Sequence, residues 1–208
     1  MDEARQVRDF WFGKLPMTAE ALDQRVKLWF SVDVPGEVQK QRDEALRKRF
    51  GYLLERAGKG ELDGWADSPR RCLSLIIVLD QFPRNMYRGT ARAFAYEGQA
   101  LAHTLTGMQS AADGALDVVE RMFFYMPLQN CETREVQDES VAGYRRLVME
   151  APQELRSVFE NALKSAERQR EIIERFGRFP HRNGVLGRTS TRDEEEWLGT
   201  SSSAADYS

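Results

Sequence analysis

The stretch that decides the fold is SPRRCLSLIIVLDQ, residues 68–81 of the 208-residue chain. Its composition alone would also allow a buried strand over Leu73–Leu79. No partner strand is indicated elsewhere in the sequence, and Ser68 followed by Pro69 is typical of a helix N-terminus with proline at the first helical position. We therefore predict a helix that is apolar on most of its sides and buried at the centre of the protein.

The rest of the chain repeats its apolar residues at spacings of three and four, as amphipathic helices do. Gly13, Gly58, Gly107 and Gly177 each follow one of these series and predict left-handed C-caps, while Thr191 with Glu194 predicts a capping box. About eight helices joined by short loops can bury their apolar faces only against one another. The predicted fold is all-α, an array of packed antiparallel helical hairpins over residues 1–198. Residues 199–208 are small and polar and are expected to form a disordered tail.

Composition and charge exclude several classes of protein. The net charge of −3 differs from the basic balance of a general nucleic-acid binder. The longest aliphatic run, Leu75–Leu79, is too short to cross a bilayer, and residues 1–9 are charged, in contrast to a secretory signal. Two histidines and two separated cysteines give no metal-ligand spacing. We expect a cytoplasmic protein without a metal, a cofactor, a nucleic-acid partner or a membrane partner, and its oligomeric state stays open.

Two similar segments stand about half a chain apart: LDQFPRNMYRGT, residues 79–90, and RFGRFPHRNGVLGRT, residues 175–189. Each carries Phe-Pro after an apolar run, where proline is expected to stop the helix, and then Arg-Asn followed by Gly, Arg and Thr. Loops of this composition often carry function. We refer to them as the first and second Phe-Pro segments, and their likeness hints at a diverged duplication.

If the two segments meet, seven side chains would converge on one anionic ligand or peptide terminus: Arg84, Asn85, Arg88, Arg178, His181, Arg182 and Asn183. A guanidinium group offers a planar set of donors that suits carboxylate or phosphate. The same residues would equally serve a structural ion-pair network that includes Asp80 and needs no ligand. Neighbouring arginines disfavour protonation of His181, which suits either a general base or a neutral, hydrogen-bonded histidine.

Both segments, together with DFWFG (residues 9–13) and ERMFFYMPL (residues 120–128), resemble the bacterial "domain of unknown function 924" family over nearly the whole chain. The resemblance implies an all-helical fold similar to tetratricopeptide-repeat-like proteins, and it implies no established activity. Members typically carry Glu-His where this chain has Gln129-Asn130, and often His where it has Gln169. Amides form hydrogen bonds but do not titrate near neutral pH, which argues against an acid–base or metal-binding role at these positions here.

Two functions remain open from the sequence. A binding or scaffold module is favoured by the absence of a recognisable catalytic set, and it predicts a concave, apolar-walled groove with arginines at one end. An enzyme acting on a small phosphorylated or carboxylated molecule would use His181 as acid or base, and it predicts His181 within hydrogen-bond reach of a closed pocket. The amides at the two family histidine positions favour binding.

Overall fold

The computed structural model describes residues 2–31 and 34–200, and no strand occurs among them. Its helices are α1 (Glu3–Phe12), α2 (Ala19–Trp29), α3 (Gly36–Gly58), α4 (Pro69–Ile76), α5 (Phe82–Met86), α6 (Glu97–Gln109), α7 (Val118–Phe124), α8 (Met126–Gln129), α9 (Arg134–Glu150), α10 (Arg156–Phe176) and α11 (Arg192–Thr200). A π-helical turn, Ile77–Gln81, joins α4 to α5 without a break, and Tyr125 alone separates α7 from α8. The described chain thus forms nine helical rods, and the predicted all-α class is confirmed.

Three of the other rods pack directly against α4, and they do not stack in chain order. Helix α4 contacts α1, α6 and α7, while α9 and α10 form a hairpin of their own. The likeness to tetratricopeptide repeats and the domain boundary at residue 198 stay predictions. Helix α11 runs two residues past that boundary, within the usual uncertainty of helix ends, and residues 201–208 of the predicted tail lie outside the described residues. Within the described ranges, no helix combines the length and apolar character needed to cross a membrane.

Helix α4 lies at the centre of the core, as the sequence predicts. Its side chains and those of the π turn are fully inaccessible to solvent at Leu73, Leu75, Ile76, Ile77 and Val78. The hydroxyl of Ser74 donates to the Ala4 carbonyl (2.7 Å) and ties the helix to α1. Ser68 has the extended backbone of an N-cap, but its side chain makes no capping hydrogen bond. The helix start therefore depends on Pro69 and on burial.

The expectation that Pro83 stops the helix is wrong. Proline lacks the N–H that an α-helix would use at this position, and its ring clashes with the carbonyl four residues earlier. The π turn at Ile77–Gln81 widens the helix just before this point, so that the Phe82 N–H bonds to the Ile77 carbonyl five residues back. The helical path continues through α5 to Met86. Residues 79–86, two-thirds of the first Phe-Pro segment, are thus helical rather than loop.

The second Phe-Pro segment is a loop between α10 and α11 with a small core of its own. Gly177 ends α10 with φ +68°, which confirms the predicted left-handed C-cap. Gly13 after α1 also has a positive φ, +73°, but the prediction is wrong for Gly58 and Gly107, which lie within α3 and α6 without a positive φ. The predicted capping box is present, because Thr191 N–H donates to Glu194 Oε2 (2.7 Å) and Glu194 N–H donates to Thr191 Oγ1 (3.3 Å). The small core comprises Ile172, Ile173 and Phe179, with Phe176 and Trp197 packed against it.

Candidate functional site

The π turn places two polar side chains of the first Phe-Pro segment inside the protein. Asp80 and Gln81 are both buried. The Asp80 carboxylate accepts hydrogen bonds from Gln81 Nε2 and from Asn130 Nδ2, the latter at 3.0 and 3.2 Å from its two oxygens. Arg84 Nε lies 3.5 Å from Asp80 Oδ1. Asp80 is thus the ion-pair partner that the sequence suggests for an arginine of this segment.

The second Phe-Pro segment is held by Glu132, which precedes α9. Its carboxylate accepts from the Phe179 N–H (2.7 Å) and from both terminal nitrogens of Arg188 (2.7 and 3.0 Å). Arg188 also donates to the Phe179 carbonyl (3.0 Å). Burial alone would raise the pKa of Glu132, but the bonds from Arg188 and Phe179 outweigh it and hold that pKa below its ordinary value. Two charged side chains thereby fix the backbone on both sides of Phe179.

The two segments meet at Glu97, the first residue of α6. Arg84 Nη2 donates to Glu97 Oε1, and Arg182 Nη1 donates to Glu97 Oε2 (3.3 Å). Both guanidinium groups also lie over the Phe94 ring, at 5.3 Å for Arg84 and 4.9 Å for Arg182. Arg182 Nη1 further donates to the Asn130 carbonyl (3.1 Å). We call Arg84, Glu97, His181 and Arg182 the loop cluster.

The loop cluster is half-buried, with Arg182 fully enclosed, and its charges are balanced together with those of its neighbours. Burial lowers the pKa of Arg182 to about 10, with Arg84 adding to the effect. Burial also raises the pKa of Glu97, despite the two arginines that favour its charged form. Around the cluster, the positive groups Arg84, Arg182 and Arg188 face the same number of negative ones: Asp80, Glu97 and Glu132. The described residues therefore leave no surplus positive charge at this point.

His181 takes part in the cluster as a neutral ring. Its imidazole lies against Phe179, with ring centres 5.5 Å apart. Burial lowers the pKa of His181 to about 4, and Arg182 and Arg84 lower it further. The predicted effect of the arginines is thus present, although burial is the larger cause. In the described residues, no group of three or more His, Cys, Asp or Glu side chains is placed to hold a metal ion.

The other four predicted side chains lie elsewhere. Asn85 Oδ1 accepts from Arg88 Nη2 (3.0 Å), and Arg88 Nε donates to Asp43 on α3 (3.3 Å). Arg178 donates two bonds to the Glu194 carboxylate (2.6 and 2.8 Å), and Asn183 donates a third (3.2 Å). The seven predicted side chains therefore fall into three groups: the loop cluster, a pair on the α3 side and a pair on the α11 side.

Arg178 and its partners also explain the acidity of Glu194. Hydrogen bonds from Arg178, from the Thr191 backbone and from Asn183 stabilise the carboxylate and lower its pKa to about 2. The same side chain caps α11, so one carboxylate joins the second Phe-Pro segment to the last helix. Both predicted residues of this group therefore have a structural task.

Three amide side chains stand where the resemblance implies Glu, His and His: Gln129, Asn130 and Gln169. Their surroundings in the structure differ. Asn130 belongs to the buried network, where it contacts both Asp80 and Arg182. Gln129 donates to Ser165 on α10 (2.8 Å). Gln169 lies one turn beyond Ser165, and its buried Oε1 has no hydrogen-bond donor within residues 2–31 and 34–200. Only Asn130 therefore reaches the loop cluster.

Sequence reasoning missed the two carboxylates that bring the Phe-Pro segments together. Glu97 and Glu132 lie 13 and 47 residues away in the chain from the groups they bind, Arg84 and Phe179. Neither one stands in a motif. Glu194 carried a local signal, the capping box, but that signal did not indicate its bonds to Arg178 and Asn183.

Two surface grooves border the predicted residues. One, of about 260 Å³, lies between α1, α2, α3 and α5. We call it the aromatic groove, and it is lined by Phe10, Trp11, Arg25, Leu28, Trp29, Gln39, Arg42, Asp43, Leu46 and Asn85. The other, of about 470 Å³, is open and lies beside Arg178 and Glu194, which already bind each other. His181 lines neither groove.

Comparison with known proteins agrees with this architecture. Residues 7–202 match the family described as "Bacterial protein of unknown function (DUF924)". The chain belongs to this family of helical proteins. A solved structure, "Structure of Protein of Unknown Function ATU0120 from Agrobacterium tumefaciens", is 32% identical, with a TM-score of 0.76, and the match covers 94% of this chain and 96% of that one. A search of curated proteins found no match.

Proposed function

We propose that this protein is a binding module for a small molecule, with the aromatic groove as its binding site and the loop cluster as the brace behind it. Consecutive residues of α5 join the two regions, because Arg84 belongs to the cluster and Asn85 lines the groove. The cluster holds α5 against α6 and the second Phe-Pro segment. Asn85 is held in turn by Arg88. The groove wall is therefore set by a rigid element, as ligand recognition requires.

The observation that carries the proposal is an apolar surface with unused hydrogen-bonding groups. Leu28 is 44% exposed at the rim, while Trp11 and Trp29 form the buried part, with their rings near-parallel at an angle of 20°. Among the described residues, the Trp11 indole nitrogen is a buried donor without an acceptor, and Gln39 Oε1 is a buried acceptor without a donor. Buried polar groups are nearly always paired, so two such groups on residues that line one groove favour a ligand that pairs them.

The alternative, an enzyme with His181 as acid or base, has less support. An efficient acid–base group has a pKa near the working pH, whereas that of His181 is about 4. His181 also contacts neither groove. The anion or peptide-terminus site predicted at the arginines stays a prediction, and the balanced charges of the loop cluster favour the structural alternative instead.

The proposal is tested by ¹H–¹⁵N NMR with a library of small neutral and anionic aromatic molecules. The chain has four tryptophans, and each indole N–H gives a separate signal. We expect binders to shift the signals of Trp11 and Trp29, while those of Trp65 and Trp197 stay in place as internal controls. Trp→Phe variants assign the four signals. A library in which no molecule selectively moves Trp11 and Trp29 would contradict the proposal.

A further inference from the structure

We infer that the ligand of the aromatic groove is a small monocarboxylate with a flat apolar body. The inference rests on the proposed function and specifies its ligand. It depends on the charge of the groove, on its unpaired donor and on its size.

The groove carries more positive than negative charge. Asp43 is its only acidic lining residue among those described, and Arg88 already binds that carboxylate (3.3 Å). Arg42 lies exposed at the rim and has no ion-pair partner within residues 2–31 and 34–200. Arg25 binds no carboxylate in those ranges either, and donates to the Phe10 and Trp11 carbonyls at the end of α1 (3.1 and 3.2 Å). An anionic group therefore complements the groove.

The unpaired donor favours a carboxylate among anions. The indole N–H of Trp11 can only donate, and the guanidinium of Arg42 is also only a donor. A carboxylate accepts several hydrogen bonds at once, so it can use both groups. A phosphate would bring up to two charges against apolar walls, where unpaired charge is costly to bury.

The walls and the volume define the rest of the ligand. Phe10, Trp29, Leu28 and Leu46 present apolar surface, and aromatic rings pack well against flat apolar groups. The volume of about 260 Å³ is slightly below the roughly 300–1,000 Å³ typical of ligand pockets. A single ring with a short carboxylate chain fits this description better than a lipid or a nucleotide does.

A pair of nearly isosteric probes tests the inference: 3-phenylpropionate and its neutral analogue 3-phenylpropanamide. Each is titrated into the 208-residue protein while the Trp11 and Trp29 indole signals are followed. We expect the carboxylate to bind about five- to tenfold more tightly, as one charge-assisted contact allows, and this preference should weaken as salt is added. In Arg42→Gln, which alters an exposed side chain, the preference should disappear.

Arg71→Gln is the matched control, because Arg71 is also exposed and without an ion-pair partner in the described chain but lies on α4, outside the groove. This variant should keep the preference. Equal affinity for both probes, or an unchanged preference in Arg42→Gln, would overturn the carboxylate inference and leave the binding proposal standing. If neither probe moves Trp11 or Trp29 while other aromatic molecules do, the inference again fails alone. If no molecule of the library moves the Trp11 and Trp29 signals, both the carboxylate inference and the binding proposal are wrong.

Discussion

The loop cluster and the aromatic groove differ in how fully their polar groups are used. The cluster holds the arginines that look most like a binding site in the sequence, yet their guanidinium groups already face Asp80, Glu97 and an aromatic ring. The residues of the groove form no recognisable motif in the sequence, yet the buried indole N–H of Trp11 has no partner in the part of the chain that the structure describes. The comparison teaches that the number of charged side chains is a poor guide to a ligand site. Unsatisfied groups beside accessible apolar surface are a better one.

The largest expected effect separates a structural cluster from an anion site. Arg182→Ala should lower the free energy of unfolding by roughly 3–5 kcal/mol, because it removes a buried side chain and takes the Arg182 donor from Glu97 Oε2 and from the Asn130 carbonyl. Chemical denaturation measures the change. Arg145→Ala is the control, since the Arg145–Glu167 pair is exposed and should contribute at most about 1 kcal/mol.

The opposite result would restore the sequence-predicted anion site. In that case Arg182→Ala would be as stable as the wild type or more stable, and stabilisation by inorganic phosphate, present in the wild type, would be lost from the variant. A cluster that mainly binds an anion repels itself when the anion is absent, whereas a structural one does not.

A second prediction concerns the neutral ring of His181. Its pKa is about 4 in the folded protein and about 6.5 when unfolded, so the unfolded chain binds the extra proton between these values. The contribution of His181 to the free energy of unfolding is therefore fully present above pH 6.5 and is lost as the pH falls from 6.5 to about 4. Below about pH 4 this contribution does not change further. The loss should amount to roughly 3 kcal/mol. Denaturation curves between pH 7 and 4 measure it.

The His181→Gln variant should lack this part of the pH dependence. The chain has one other histidine, His103, which lies near the surface carboxylate of Asp63. His103→Gln is measured alongside the His181 variant, so that the contribution of His181 is separated from that of the second histidine. If the His181 variant keeps this part of the pH dependence, the ring does not become buried and neutral on folding, and the loop cluster does not contain a neutral histidine.

The smallest expected effect on stability belongs to the groove. Leu28→Ser alters a side chain that is 44% exposed, so the free energy of unfolding should change by about 0.5 kcal/mol or less. The same change should abolish the response of Trp11 and Trp29 to the best NMR binder. Met149→Ser, at a 73% exposed position outside the groove, should leave both stability and binding unchanged. Destabilisation above 1 kcal/mol would instead show that Leu28 serves the core.

Much of the fold was accessible from the sequence, because its signals are local. The period of the apolar residues predicted the helices, Gly177 predicted a C-cap, and Thr191 with Glu194 predicted a capping box. The prediction that Pro83 ends the helix was wrong for an equally local reason. The five-residue π turn before it shifts the hydrogen-bonding pattern, so the helix continues although Pro83 has no N–H to donate. The sequence of a single helix does not indicate such a turn, whose place is set by the packing of the helix.

The site was predicted only in part. The sequence identified Arg84, His181 and Arg182, which do come together, but it added Asn85, Arg88, Arg178 and Asn183, which bind partners on other sides. Each of these residues lies within a few positions of a cluster member in the chain. Adjacent positions on a helix or in a tight turn point in different directions, so proximity in sequence did not become proximity in space.

The sequence by itself determined that the chain forms helices, that residues 69–81 lie at the centre and that the chain resembles its family. These properties follow from the spacing of apolar side chains and from short motifs, which act over a few residues. The tertiary structure alone decided which carboxylates bind the arginines and which surface stays open. Glu97 and Glu132 reach the second Phe-Pro segment from 85 and 47 residues away, and α1, α2, α3 and α5 meet at the aromatic groove. Such neighbours are chosen by the packing of whole helices, which no local pattern records.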